Sequence, residues 1–213
     1  MYLPPHFEQT DPAVLAAAMA AQPLATLIVV TPEGPTADLI PLEFHAGVGP
    51  QGTLRGHVAR ANPLWRHGAE ASASALAVFH GPQAYISPNW YPSKREHGKV
   101  VPTWNYTMVQ ARGRLRAVDD AAWVHALVRR LTERHEATQP APWAVADAPA
   151  DYVQQMLRAI VGIEIELNSL VGKWKVTQNR SEADREGVAD AVADAAMAAL
   201  VRPAPSPIGR GLG

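Results

Sequence analysis

The chain has 213 residues, 47% of them hydrophobic, which supplies material for one sizeable core and excludes disorder of the whole chain. Its 19 basic and 20 acidic residues leave a net charge of −1, so no general field draws in nucleic acid. With no cysteine, disulfides, thiolate metal sites, iron–sulfur clusters and cysteine nucleophiles are all excluded.

The opening MYLPPHFEQTDP has neither the basic start nor the apolar run of a secretory signal. The most apolar run, Leu24 to Val30, is too short to span a bilayer. A cytoplasmic protein with no membrane partner is expected. Asp11 followed by Pro12 caps a short Ala-rich helix. The period then changes. LATLIVVT reads as a strand, PEGP as a turn, TADLIPLEF as a second strand and TLRGHVA as a third. NPLWRHG reads as a short helix closed by Gly68, SALAVFHG and QAYISP as two further strands, and NYTMVQARGRLRAV as a long one. Such a run of strands and short turns indicates an antiparallel barrel or sandwich.

Asp119 and Asp120 can cap the helix AAWVHALVRRLTERHE, where Trp123, Leu127 and Leu131 share a face. A proline-rich connector leads to a second amphipathic helix, DYVQQMLRAIV. GIEIELNSLVGKWKV then returns to strand character, with Ile163, Ile165 and Leu167 alternating against Glu164 and Glu166. Ser181 with Asp184 opens an Ala-rich helix to about Arg202. The expected organisation is a main domain over 1–180, a helix over 181–202 and a disordered tail over 203–213.

Four stretches carry candidate chemistry. In GHVARANPLWRH, Arg60 and Asn62 precede a helix start, which suits an anion or an ordinary strand-to-helix turn. Arg112, Arg114 and Arg116 alternate along a strand and share one face, which is solvated or offers one side chain to a phosphate. In GKWKVTQNR, Lys173 and Lys175 share a face opposite Trp174, and Gln178 and Asn179 add amides, as in either a binding strand or a polar edge. YISPNWYPSKREHGKVVPTWNY sets Tyr85, Trp90 and Tyr91 on one side of a basic loop, with Trp104 and Tyr106 on the other. No glycine-rich phosphate loop, Gly-x-Ser-x-Gly elbow or two-histidine zinc helix is present.

Read in order, GHVARANPLW, YISPNWYPSK…VPTWNY and GKWKVTQNRSEADREGV, with the opening MYLPPHFEQTD, resemble the PaiB-like family of FMN-binding negative transcriptional regulators over about residues 1–195. The resemblance implies a mostly β fold with peripheral helices (α+β), a split β-barrel of the FMN-binding type. It also implies a homodimer with FMN at the subunit interface and a role in repressing sporulation and degradative-enzyme genes. Matched motif by motif, it places FMN near Arg60, Asn62, Trp90, Tyr91, Thr103, Trp104, Asn105, Lys173, Lys175, Gln178 and Asn179. The phosphate then calls for Arg60 or the lysines, the isoalloxazine for the flat face of Trp90 or Trp104, and its polar edge for amides such as Gln178 and Asn105. Where the family motif often has Ser, this chain has Thr177, which keeps the hydroxyl.

With a net charge of −1 and no evident reading helix, regulation is expected to act indirectly or through a partner rather than by direct DNA binding. Two other readings stand beside it. A flavin-dependent oxidoreductase needs no further acid–base pair, because the cofactor carries the electrons. A haem-binding relative would draw on His6, His45, His57, His80 or His97, none of which a motif singles out.

Overall fold

A computed structural model describes residues 1–71 and 73–203. The tail expected from 203 therefore lies, from 204 onward, outside the described residues. In chain order the elements are β1 (Glu8–Gln9), α1 (Pro12–Ala21), β2 (Leu24–Thr31), β3 (Gly34–Pro41), β4 (Glu43–His45), β5 (Thr53–Ala59), α2 (Leu64–Ala71) and β6 (Ser74–Ile86). They continue as α3 (Ser93–His97), β7 (Thr103–Val118), α4 (Ala121–Glu136), α5 (Ala150–Arg158), β8 (Ile160–Lys175), α6 (Glu182–Ala191) and α7 (Ala195–Val201). The strands join in one sheet of order β3-β2-β6-β7-β8-β5-β4, with β1 paired to β8. No helix among the described residues is long and apolar enough to cross a membrane.

The chain forms two compact units. One comprises Met1–Gln9, Gly81–Met108 and the chain from Gly172; the other comprises Thr10–His80 and Val109–Val171. Strands β6, β7 and β8 contribute residues to both.

In the second unit, alternation separates core from surface on β2 and β7. Ala25, Leu27 and Val29 of β2 are buried, as are Ile163, Ile165 and Leu167 of β8. On β7 the inward row Val109, Ala111 and Leu115 opposes Arg112, Arg114 and Arg116, all three exposed. Strand β2 pairs with β3 over its whole length, from Leu24↔Pro41 to Thr31↔Gly34, and β5 pairs with β8 from Thr53↔Glu166 to Ala59↔Ile160. Helix α1 starts where expected: the Asp11 carboxylate accepts from the N–H groups of Ala13 (2.8 Å) and Val14 (3.4 Å).

Several boundaries differ from those expected. TADLIPLEF is two strands, β3 ending at Pro41 and β4 opening at Glu43, with buried Leu42 between them. SALAVFHG and QAYISP are one continuous strand, β6. Gly68 lies inside α2 and does not close it. A Cβ there would come within 3.1 Å of the Ala117 nitrogen and the Leu115 side chain, so the glycine permits close packing of helix on strand. Helix α5 ends at Arg158, since Ile160 and Val161 already pair with β5.

In the first unit, Ile86, Tyr91, Val176, Val188, Ala189, Met197 and Val201 form a buried cluster, with Trp90 and Val100 packed against it. The Ala-rich segment expected as a single helix is two. Helix α6 ends before Val192, and Asp194 caps α7 by accepting from the Met197 N–H at 2.7 Å. The basic SKREH segment is a short helix, α3, ended by Gly98 at φ 67°. Its first residue is anchored by buried Asp184, which accepts from Ser93 N–H (3.1 Å) and Ser93 Oγ (2.8 Å).

Gly187 of α6 faces the Trp90 carbonyl, which a Cβ would meet at 2.3 Å. Backbone cannot give way as a flexible side chain does. Gly187→Ala is therefore expected to destabilise the protein by about 1–3 kcal/mol, read as a lowered urea midpoint.

Candidate functional site

The site is built where β7 begins and β8 ends, within the first unit. On β7 the inward row that is apolar in the other unit becomes polar here, at Thr107 and Asn105, both buried. A buried amide needs partners. Asn105 Nδ2 donates to Thr177 Oγ1 at 2.5 Å. Thr177 is itself buried, and its φ of 67° is the only positive value at a non-glycine position among the described residues. A β-branched residue in that region is strained by roughly 1–3 kcal/mol, and such strain persists only where the surroundings impose it.

Besides Asn105, those surroundings are the Gln178 side chain and the turn that follows. Gln178 Oε1 accepts from the Val176 N–H at 2.7 Å, while Nε2 donates to Trp174 O and, at 3.0 Å, to His6 O. The Arg180 N–H closes the turn onto Thr177 O at 3.0 Å. This tight turn after β8 presents Lys175, Asn179 and Arg180 in one open cleft of about 140 Å³. Phe7, Tyr91, Val101, Pro102, Thr103 and Asn105 form its other walls.

The electrostatics are one-sided. Lys175 Nζ donates to Thr103 Oγ1 and Trp104 O, each at 2.5 Å. Lys173, only 8% exposed, donates to Tyr2 O at 3.1 Å and stands over the rings of Tyr2 (5.7 Å) and Tyr106 (5.3 Å). The Arg180 guanidinium lies over the Tyr91 ring at 5.1 Å. No carboxylate among the described residues lies within ion-pairing distance of Lys173, Lys175 or Arg180. Burial pushes the Lys175 ammonium below its ordinary pKa and the like charge of Lys173 adds to this, while Tyr106 opposes it. Burial likewise pushes the Tyr91 hydroxyl up, reinforced by Asp184 and opposed by Arg180. This donor set, two cations and an amide lining the cleft and a third cation beside them on β8, fits the phosphate of a nucleotide.

The eleven residues singled out in the sequence divide between the units. Trp90, Tyr91, Thr103, Trp104, Asn105, Lys173, Lys175, Gln178 and Asn179 belong to the first. Tyr91, Thr103, Asn105, Lys175 and Asn179 line the cleft itself. Trp90 packs on the apolar cluster. Trp104 lies on the outward face of β7, 56% exposed and edge-on to Tyr85 with ring centroids 6.1 Å apart. The Gln178 amide is committed to backbone groups.

Arg60 and Asn62 belong to the second unit. The Arg60 fork grips Asp119 at 2.8 and 2.6 Å, and also bonds Arg158 O (2.8 Å) and Ile160 O (3.2 Å). This pairing holds the Asp119 carboxyl below its usual range. Asp120 alone caps α4, through the Trp123 N–H. Asn62 caps α2 by accepting from Leu64 N–H at 2.9 Å and donates to Asp38 at 3.1 Å. Arg116 and Arg55 both bind Glu164, at 2.6 and 2.8 Å.

Phe7 and Arg180 were not singled out. Arg180 ends the GKWKVTQNR segment, so its proximity to Lys175 was a usable signal. Nothing local marks Phe7, which arrives by long-range pairing of β1 with β8. Of the histidines, His45 pairs with Glu43 at 2.9 Å and His80 with Thr26 at 3.4 Å. His57 has a buried Nδ1 with no hydrogen-bond partner, and burial lowers its pKa.

The family model described as "Putative FMN-binding domain" matches residues 1–169, stopping just before Lys173. The protease synthase and sporulation protein PAI 2 of Bacillus subtilis is 30% identical over 184 residues, spanning 86% of this chain and 85% of that protein. An uncharacterized protein of Aspergillus fumigatus is 34% identical over 168 residues, and one of Emericella nidulans 35% over 162. The chain spans 64% of the length of each of these two fungal relatives. Among solved structures, the FAD and heme binding protein of Mycobacterium smegmatis superposes with a TM-score of 0.58 at 18% identity, covering 79% of this chain and 73% of that one. The flavocytochrome Anf3 of Azotobacter vinelandii gives 0.54 at 12% identity over 79% and 69%. These likenesses concern the fold, which is the split β-barrel class with peripheral helices.

Two outcomes follow from the geometry. Thr177→Val leaves the buried Asn105 amide without its acceptor and should cost about 1–3 kcal/mol, whereas Thr177→Ser keeps the hydroxyl, relieves the β-branch and should match or exceed wild type in urea unfolding. For His57, the unfolded state binds its proton at a higher pH than the folded state does. Stability should therefore fall as pH drops below about 6.5, until the lowered folded pKa is passed. His57→Gln should flatten that part of the urea midpoint curve between pH 7.5 and 5.

Proposed function

We propose, since the chain belongs to the family of the "Putative FMN-binding domain" and FMN is its cofactor, that the cleft around Lys175 and Arg180 receives the FMN phosphate in a homodimeric, cytoplasmic regulator of the PaiB type. The observation that carries the reading is the set of cations in and beside the cleft with no carboxylate among the described residues to neutralise them. A phosphate monoester supplies close to two negative charges at neutral pH. Asn179 and the Thr103 hydroxyl add neutral donors on the same walls. Bound FMN would supply reversible electron transfer; the chain's own residues bind and orient it.

The dimer reading is supported by size. A cleft of about 140 Å³ is smaller than the roughly 300–1,000 Å³ that small-molecule sites occupy, so the remainder of the flavin needs further walls. Exposed Trp104 and Tyr85 offer flat apolar surface that a second copy would cover. The regulatory reading is supported by likeness to the Bacillus sporulation protein along most of both chains. A net charge of −1 favours action through a partner over direct reading of DNA.

Titration of the protein with FMN and with riboflavin tests the assignment. Lys175→Ala and Arg180→Ala should each weaken FMN roughly 10- to 100-fold, through loss of a charge-assisted bond, and leave riboflavin binding nearly unchanged. Equal loss for both ligands would remove the phosphate from this cleft. Light scattering should give twice the chain mass, and a gel shift with sequence-selective binding by the purified protein would overturn the indirect regulatory role.

A further inference from the structure

The segment from Tyr2 to Gln9 lies along the end of β8, held there by residues beside the cleft. Lys173 Nζ donates to Tyr2 O at 3.1 Å, and Gln178 Nε2 donates to His6 O at 3.0 Å. Glu8 and Gln9 pair with Lys173 and Gly172. Phe7, only 9% exposed, forms one wall of the cleft. Gln178 therefore joins two features that are separate in sequence: the strained turn that presents Lys175, Asn179 and Arg180, and the strap that presents Phe7.

We propose that this strap makes the cleft selective for a terminal phosphate, and so for FMN over FAD. Phe7 is the specificity-determining wall, and Gln178 is the positioning residue that keeps it in place. The inference rests on the reading of the cleft as the FMN phosphate site. Two physical differences separate the ligands. The FMN phosphate is a monoester, close to dianionic, and ends the molecule. In FAD each phosphorus carries one negative charge and the chain continues past it to a second phosphate and a nucleoside. A cluster of cations favours the first charge state. A cleft of about 140 Å³, one wall of which is a buried phenylalanine, is small beside a second phosphate and a nucleoside.

Dissociation constants for FMN and FAD, measured on wild type, Phe7→Ala, Gln178→Ala and the double variant, test the proposal. Wild type should prefer FMN at least tenfold, each single variant should reduce that preference at least threefold, and the double variant should add little, because both act through one strap. A loosened fold would weaken both flavins alike, so an unchanged FMN-to-FAD ratio in the variants, or fully additive losses, overturns the proposal. Faster hydrogen exchange over residues 6–9 in Gln178→Ala, with α6 unaffected, is the expected signature of a released strap; unchanged protection there also overturns it. Phenyl phosphate and diphenyl phosphate repeat the comparison without the flavin ring. If the protein binds the monoester and rejects the diester but takes neither flavin, the FMN assignment fails and the strap's selectivity stands; if it takes neither ester, both fail.

Discussion

The hydrogen bond between the Asn105 amide and the Thr177 hydroxyl is the constraint on which the cleft depends. It lies where the inward face of β7 changes from apolar to polar, and both partners are buried, so neither has water as a substitute. Holding the hydroxyl there requires Thr177 to adopt a backbone conformation that threonine disfavours. The strain is local, but its consequence is directional. The turn reverses the chain after β8 and brings Arg180 to the same cleft as Lys175, although a continued strand would have carried it away.

Like charges brought together in a half-buried place are unfavourable unless something compensates. Part of the compensation is visible: the faces of Tyr2, Tyr106 and Tyr91 lie under the three cations, and carbonyls of Tyr2 and Trp104 accept from the two ammoniums. Neutral acceptors and ring faces soften the repulsion without cancelling the charge. Burial lowers the affinity of Lys175 for its proton, and the like charge of Lys173 adds to this. An anion entering the cleft meets donors already fixed, which is the condition under which charge-assisted bonds count most.

Much of the fold was legible because two periods rarely conflict in this chain. The β-branched run LATLIVVT and the segment TLRGHVA matched β2 and β5 to the residue, alternation marked the inward row of β8, and Asp11 and the Asp119–Asp120 pair marked helix starts. What failed were positions where a tertiary contact overrides a local signal. Gly68 reads as a helix stop, yet it is a close-packing site against β7. Gly81 and Pro82 read as an interruption, yet β6 runs through them. The Val192–Asp194 break was hidden by alanine on both sides. The site was legible as segments but not as roles. Trp90 and Trp104 look equivalent in sequence; helix packing of α6 and α7 puts one against the core, and strand alternation turns the other outward.

Arginine and lysine illustrate why residue type alone could not assign the anion. Arg60 has every sequence attribute of a phosphate ligand: the end of a strand, a capping asparagine, a helix start. Its fork nevertheless spends four of its five N–H groups on Asp119 and two carbonyls, a geometry that planar guanidinium suits and that leaves little for an incoming group. For Arg60 to bind phosphate, Asp119 would have to be displaced, exchanging one bidentate pair for another with no gain in charge. Lys175 bonds only a hydroxyl and a carbonyl, neither of which neutralises it. A phosphate gains there what it cannot gain at Arg60, because the charge it meets is not yet cancelled. The competition between a carboxylate in the chain and an anion in solution is decided by the fold, which supplies a carboxylate partner to Arg60 and, among the described residues, none to Lys173 or Lys175.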